Sequence, residues 1–252
     1  MGGGHAGPPL QTFKRNPGVP DNPVNELRQL VADLGQLLRY QRRLGRLGVE
    51  REDPAPSPHQ APVVPLFPTL PEIREELGDC QRCKLARGRT HIVFGQGSAR
   101  ADLMFIGEGP GEEEDLQGLP FVGPAGQLLN NLLSKLGLAR QDVYIANIVK
   151  CRPPGNREPE ADEVNSCLPF LKKQIEAIRP QVIVTLGRVA TQNLLDTAVP
   201  LTRMRGQWQR YKKVRVMPTF HPSYLLRFPQ ERRKTWEDMQ QVMELLTRYE
   251  EN

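Results

Sequence analysis

The chain has 252 residues and a formal net charge of +5 at pH 7. This length suits one main domain with an appendage, and the charge is a mild bias toward polyanionic partners. No run of about 20 apolar residues is present, which argues against a transmembrane helix and a membrane partner. Residues 1–7 lack a charged start followed by an apolar run, so no secretory signal is predicted and we expect a cytoplasmic protein.

The first 69 residues differ in composition from the rest. Of the 24 prolines, 11 lie between Pro8 and Pro68, which predicts linker-like stretches. Between these stretches, residues 24–48 carry leucines at three-to-four spacing, which predicts one amphipathic helix with an arginine-rich opposite face. Such a helix can pack on the main domain or on a partner, or contact DNA, and the sequence leaves its partner open. We therefore divide the chain into an extension, residues 1–69, and a domain, residues 70–252.

Short apolar runs alternate with helical stretches throughout residues 70–252. This alternation predicts an α/β fold with a mostly parallel four-stranded sheet that is covered on both faces. Ligands of such sheets bind at the carboxyl ends of the strands, so each motif that follows a strand is a candidate site. The strands are predicted at 103–106, 143–149, 182–186 and 214–218, and the helices near 124–136, 159–179, 188–196 and 230–249.

A glycine-rich segment follows the first predicted strand. It reads GEGPGEEED over residues 107–115 and GLPFVGPAG over residues 118–126. Its glycine spacing excludes a dinucleotide loop, and the lack of a Gly-Lys-Ser/Thr sequence excludes a phosphate-binding P-loop. A solvated loop that caps the next helix is one interpretation. The other is a ligand-binding loop, in which the framed aromatic ring of Phe121 stacks on a flat base.

Two polar residues lie at or after the carboxyl ends of later predicted strands. Asn147 stands in an apolar run, where an amide is costly unless it is paired. It either bonds to neighbouring backbone or reads a base, because one amide offers a donor and an acceptor that match O4 and N3–H of uracil. His221 stands before Pro222 and is either structural or a stabiliser of charge. Large apolar residues follow it in the segment HPSYLLR, and such side chains can enter a base stack.

The four cysteines fall into two groups, Cys80 with Cys83 and Cys151 with Cys167. Four thiolates fit either zinc or an iron–sulfur cluster, and unrelated buried thiols are the alternative. The spacing alone does not separate these cases.

Taken in order, these motifs resemble the family 4 uracil-DNA glycosylases, the iron–sulfur branch of the uracil-DNA glycosylase superfamily, over roughly residues 70–250. The resemblance implies a three-layer α/β/α fold and a [4Fe–4S] cluster held by the four cysteines. It also implies hydrolysis of uracil from single- or double-stranded DNA in base excision repair, which leaves an abasic site. We expect a monomer. The alternatives are a non-catalytic DNA-binding protein with the same fold and an iron–sulfur redox protein.

The resemblance also implies roles for individual residues that contact the base. Phe121 is expected to stack on uracil and Asn147 to read its hydrogen-bonding edge. Glu114 is expected to crowd C5 and so reject the methyl group of thymine. His221 is expected to bond O2 as negative charge develops there, and Leu225 is the candidate wedge for the vacated base stack.

The residues near the sugar are less well defined by the resemblance. Glu108 and Gly109 are expected to line the site near the sugar and the attacking water. Other branches of the superfamily place an Asp where Gly109 stands. Two alternatives for the activation of water therefore stay open: Glu108 acts as the base, or an ordered water attacks without a strong base. Basic residues near the cysteines are expected to meet phosphates, with salt-dependent affinity; they are Arg82, Lys84, Arg87 and Arg89.

Overall fold

The computed structural model describes residues 30–35 and 67–250. Residues 30–35 are helical (α1) and fall inside the helix predicted over residues 24–48. The remainder of that prediction lies outside the described residues, and the division of the chain at residue 69 stays a prediction. None of the described helices is long and apolar enough to cross a membrane.

The centre of the domain is a six-stranded sheet with the order β1-β3-β2-β4-β6-β5. The four central strands are parallel, as predicted, and one antiparallel strand closes each edge. The prediction of only four strands was wrong because both edge strands are too short and too exposed to leave an apolar run. The strands are β1 Gln96–Gly97, β2 Leu103–Gly107, β3 Tyr144–Asn147, β4 Val182–Leu186, β5 Gln209–Tyr211 and β6 Val214–Thr219.

Long helices alternate with the central strands as the sequence predicted. The acidic run after Gly111 forms a short helix instead of a loop, and its carboxylates lie in the first turn, where the helix dipole favours negative charge. After α1, the helices are α2 Leu70–Leu77, α3 Glu112–Gln117, α4 Pro124–Lys135, α5 Ala161–Ile178, α6 Arg188–Leu195, α7 Leu201–Met204, α8 Pro222–Arg227 and α9 Arg232–Glu250. Single 3₁₀ turns lie at Lys84–Arg87, Pro154–Asn156 and Pro229–Glu231.

Two apolar cores cover the two faces of the sheet. On one face, Met104 and Ile183 pack with residues of α5 and α6. On the other, Phe105 and Val184 pack with residues of α4 and α9. Successive strand residues point to opposite faces, so each central strand needs apolar side chains on both. This is the three-layer α/β/α arrangement, and it explains why the central strands appear in the sequence as continuous apolar runs.

Candidate active site

A cavity of about 370 Å³ opens at the carboxyl ends of the central strands. This is the edge of the sheet at which a parallel α/β fold binds its ligands, and the volume suits a small molecule or a single nucleobase. Six of the predicted site residues line it together: Glu108, Gly109, Glu114, Phe121, Asn147 and His221.

Phe121 is held in an unusual backbone conformation beside this cavity. Its φ angle is +52°, and a non-glycine residue in that left-handed region costs about 1–3 kcal/mol. Glycines make room for it on two sides. A Cβ on Gly126 would lie 1.9 Å from the Phe121 carbonyl oxygen, and a Cβ on Gly107 would lie 2.6 Å from Cζ of the ring. The ring itself is 5% exposed, so its position is set by the surrounding chain.

Two charged side chains fix the main chain around Phe121. The carboxylate of Glu114 accepts from the backbone N–H groups of Val122 and Gly123, both at 2.9 Å, and of Gly111 at 3.1 Å. From the other side, Arg140 donates to the carbonyl oxygens of Pro120 and Phe121. Glu114 lines the cavity, and its carboxylate also supports the loop that carries the ring. Its role against the methyl group of thymine stays a prediction.

Asn147 stands at the end of β3 and is 1% exposed. Within the described part of the chain, its side-chain oxygen Oδ1 is buried and has no hydrogen-bond partner. A buried amide oxygen without a partner is costly. Only a glycine fits opposite it, because a Cβ on Gly107 would lie 2.4 Å from Oδ1. The interpretation that neighbouring backbone satisfies this oxygen is therefore wrong, and the atom is available to a ligand.

His221 caps the N-terminus of α8. Its Nδ1 atom accepts from the Ser223 N–H at 3.1 Å and lies 2.7 Å from the Ser223 hydroxyl. Burial lowers the pKa of His221 to about 4, against the nearby charge of Glu114, while Arg227 lowers it further. The ring is thus neutral at pH 7, and because Nδ1 acts as an acceptor, the proton is on Nε2. The imidazole lies 5.7 Å from the Phe121 ring between centroids.

Glu108 follows β2 and is half-buried at the cavity wall. Burial raises the pKa of its carboxyl to about 7; the charge of Glu158 raises it further, and Arg188 opposes the shift. Next to it, Gly109 has no room for a side chain, because a Cβ there would lie 2.8 Å from Cγ2 of Val149. An acidic residue at position 109 would have to displace that valine.

Leu225 does not line the cavity with the other predicted residues. Its side chain is 4% exposed and lines a separate groove together with residues of α4 and α9. A helix places successive residues about 100° apart, so α8 turns Leu225 inward, while Leu226 and Phe228 are both 41% exposed. The assignment of the wedge to Leu225 stays a prediction, but these two neighbours present the exposed apolar side chains.

The cavity also includes residues that the sequence interpretation missed. Arg188 begins α6 directly after β4, so the rule of strand ends, applied to this strand, would have found it. Glu158 comes from a loop before α5, for which neither periodicity nor a strand end gives a signal. Tyr224 stands in the apolar segment after His221, which the sequence marked as able to enter a base stack, and it lines the cavity as well.

The four cysteines lie around one small cavity on the same domain. All four are free thiols. Burial raises the pKa of Cys151 to about 11, so this thiol is neutral at pH 7 unless a bound cation favours the thiolate. Among residues 30–35 and 67–250, no group of three or more His, Cys, Asp or Glu side chains is arranged to hold a single metal ion.

Nitrogen donors point at the cysteine sulfurs. The Lys150 N–H donates to Sγ of Cys167 at 3.2 Å. Two of the arginines expected at phosphates are engaged here: Arg82 donates to Sγ of Cys80 at 3.3 Å, and Arg89 donates to Sγ of Cys151 at 3.5 Å. Such donors suit sulfur that carries negative charge, so these two side chains serve the cysteine cavity.

Comparison with known proteins agrees with this geometry. A family model described as the uracil DNA glycosylase superfamily matches residues 94–240. A type-4 uracil-DNA glycosylase of Saccharolobus solfataricus is 47% identical over 184 residues, which are 69% of this chain and 85% of the relative. One of Thermotoga maritima is 50% identical over 62% of this chain and 82% of the relative. A type-5 uracil-DNA glycosylase of Pyrobaculum aerophilum is 35% identical over 51% of this chain and 64% of the relative.

The chain is therefore a member of the uracil DNA glycosylase superfamily. Within it, the chain belongs to the type-4 uracil-DNA glycosylases, since relatives of this type match at 39–50% identity and over 82–93% of their own length.

We expect Glu114→Gln to destabilise the domain. The carboxylate accepts three backbone N–H groups, and an amide presents an NH₂ group to at least one of these donors. One buried donor then loses its partner, which costs about 1–3 kcal/mol. Urea unfolding measures this loss, with Glu113→Gln as the matched control on the same helix. Equal stability of the two variants would contradict the bracing role of Glu114.

Proposed function

We propose that the protein flips uracil out of DNA and hydrolyses its N-glycosidic bond, releasing free uracil and leaving an abasic site for base excision repair. The observation that carries this proposal is the unpartnered, buried Oδ1 of Asn147, which lies in one cavity with the Phe121 ring and a neutral His221. The names of the relatives support it. The buried amide and the neutral imidazole also favour an enzyme over an electron-transfer protein, which requires neither.

Recognition of the base follows from the groups in the cavity. Asn147 Oδ1 accepts N3–H of uracil, and the amide nitrogen donates to O4, a pairing that the amino group of cytosine would disrupt. The Phe121 ring stacks on the base. Glu114 is our candidate for excluding the methyl group of thymine, because three N–H bonds prevent its carboxylate from swinging aside.

Breaking the bond sends its electron pair to uracil and leaves positive charge on the sugar. His221 is prepared for this step, since its neutral ring carries the proton on Nε2 and can donate it as a hydrogen bond to O2. A preorganised donor to a developing oxyanion contributes about 3 kcal/mol to catalysis. Water then adds to C1′ of the sugar and releases a proton.

Glu108 is the candidate to accept that proton or to stabilise the cationic sugar. Both roles need the carboxylate form, and burial places the pKa of this group at about 7. A carboxyl group with such a pKa can take up a proton near neutral pH and return it to solvent. Since Gly109 has no side chain, Glu108 is the acidic side chain that directly follows β2.

We further propose that the four cysteines hold a [4Fe–4S] cluster. The residues fit, because four thiols surround one cavity and N–H donors reach three of the sulfurs. Hydrolysis transfers no electrons, so we assign the cluster a structural role: it joins the segment before β1 to β3 and α5. The proposal includes a monomer, since one chain supplies every named pocket group, and a cytoplasmic location.

The decisive experiment is incubation with an oligonucleotide that contains one uracil, followed by alkaline cleavage of abasic products. The wild-type protein should cleave at the uracil. Asn147→Ala should lose at least about 100-fold in kcat/KM, the scale on which removal of one preorganised hydrogen-bonding group slows an enzyme. Asn193→Ala is the matched control, since this amide bonds within α6 to the Val189 carbonyl. Binding of uracil-DNA without release of base would contradict the proposal.

The rate should rise with pH through about 7 if Glu108 acts as a carboxylate. Its raised pKa keeps it protonated below that value and ionised above it, and one ionisation changes the rate about tenfold per pH unit on the acid side. Glu108→Gln should remove this limb of the single-turnover profile and lose more rate at pH 8.5 than at pH 5.5. Glu158→Gln should move the midpoint lower, because the Glu158 charge raises the Glu108 pKa. A Glu108→Gln variant that keeps the wild-type limb would exclude this role.

Elemental analysis should find about four iron and four acid-labile sulfide per protein purified under anaerobic conditions. Cys167→Ala should lose iron and the associated visible absorption, because it removes one of the four ligands. One zinc per protein and no sulfide would overturn the cluster proposal and show that the four cysteines form a zinc site. Iron retained unchanged in Cys167→Ala would contradict the assignment of the ligands.

A further inference from the structure

We propose that Arg140 is a positioning residue that holds Phe121 in place to stack on the flipped base. The inference rests on the proposed function and deepens it, because Arg140 does not line the cavity. It stands in the turn between α4 and β3 and acts through main-chain atoms of the loop that carries the ring.

The guanidinium group of Arg140 makes four hydrogen bonds. Nη2 donates to the Pro120 carbonyl at 2.6 Å, and Nη1 donates to the Phe121 carbonyl at 3.0 Å. The other two reach Oδ1 of Asn130 at 2.9 Å and Oε1 of Gln96 at 3.1 Å. One side chain thus joins the Phe121 loop to α4 and to the edge strand β1, both of which are anchored in the fold.

These bonds also argue against a simpler role for Arg140 as a contact to DNA phosphate. A guanidinium has five N–H donors, and protein acceptors take four bonds here. The side chain is half-buried, so binding a phosphate would require breaking bonds that hold the loop. The arrangement favours support of the loop.

Arg140 and Glu114 hold the loop through different backbone groups. The cation binds the carbonyl oxygens at Pro120 and Phe121, and the anion binds the N–H groups at Val122 and Gly123. The peptide groups on both sides of the left-handed residue are therefore fixed in orientation. A loop held in this way has its aromatic ring in position before the base arrives, which lowers the entropy that binding must lose.

Removal of the guanidinium should let the Phe121 loop relax from its left-handed conformation. We expect Arg140→Met to lose about 10- to 100-fold in kcat/KM, the scale of a small misplacement of a group that orients substrate. Arg140→Lys should change kcat/KM in the same direction, because a single ammonium cannot reproduce the planar fork that reaches two carbonyl groups. Arg74→Met is the control. Arg74 is an exposed arginine of α2 that donates to the Gly78 carbonyl, and its loss should leave kcat/KM unchanged.

A double-mutant cycle tests whether Arg140 acts through Phe121. The variants are Arg140→Met, Phe121→Ala and the combination, assayed under single turnover with the oligonucleotide that contains one uracil. If Arg140 only positions the ring, the combined variant should be as slow as Phe121→Ala alone, to within about twofold. Losses that multiply would show that Arg140 acts independently and would overturn the inference.

Hydrogen exchange gives a test that does not depend on activity. In Arg140→Met and Arg140→Lys, the amides of Val122 and Gly123 should exchange at least about tenfold faster, while those of β2 and β4 keep their protection. Unchanged exchange at these two amides would overturn the inference even if the enzyme slowed. Wild-type protein that fails to release uracil would instead contradict the proposed function, and the exchange result would still decide the role of Arg140.

Discussion

The central constraint of this structure is the left-handed peptide at Phe121. The residue lines the cavity at the strand ends of a buried parallel sheet, and its φ angle lies in the unfavourable left-handed region. The surrounding structure determines it completely. Gly107 and Gly126 leave space, Glu114 takes the N–H groups that follow, and Arg140 takes the carbonyl oxygens. Strain of this kind persists only where neighbours enforce it. This explains why several residues of the glycine-rich segment pack against Phe121 or bond to the main chain beside it.

Hydrogen bonds of one buried lysine connect the cysteine cavity to the main chain of Asn147. Lys150 is 1% exposed; its N–H donates to Sγ of Cys167, and its Nζ donates to the carbonyl of Asn147 and to Oε1 of Gln174. Gln174 in turn donates to the Tyr144 hydroxyl on β3. These bonds connect Cys167 to the strand end that carries Asn147. A cluster held by the four cysteines, as proposed above, would through this connection support the position of Asn147 without any part in the chemistry.

The sequence predicted the parallel core and most of the pocket for a definite reason. Strands buried on both faces leave continuous apolar runs, and the rule of strand ends then identifies Phe121, Asn147 and His221 without coordinates. Glu108 was assigned from resemblance. What failed depends on contacts between distant residues. The edge strands have no apolar signature, and the inward direction of Leu225 depends on how α8 packs. The bonds from Arg140 to Phe121 and from Arg89 to Cys151 join segments that show no relation in the sequence. Glu114 was assigned to the pocket from resemblance, but its three N–H bonds became visible only in the fold.

Burial in one cavity shifts the pKa values of Glu108 and His221 in opposite directions. A low-dielectric environment disfavours the charged form of either group, so it raises the pKa of Glu108 to about 7 and lowers that of His221 to about 4. At neutral pH the imidazole is uncharged, and the carboxyl group is close to half ionised. Glu108 and His221 therefore contribute little net charge to the cavity when an uncharged uracil binds there. In the proposed mechanism, the anion that forms on uracil gains a hydrogen bond from a His221 ring that is already oriented, and the cationic sugar faces the partly buried carboxylate of Glu108. On this proposal the cavity stabilises the separation of charge in the transition state, because groups whose charged forms are costly in the free protein interact more strongly with the charges that develop there.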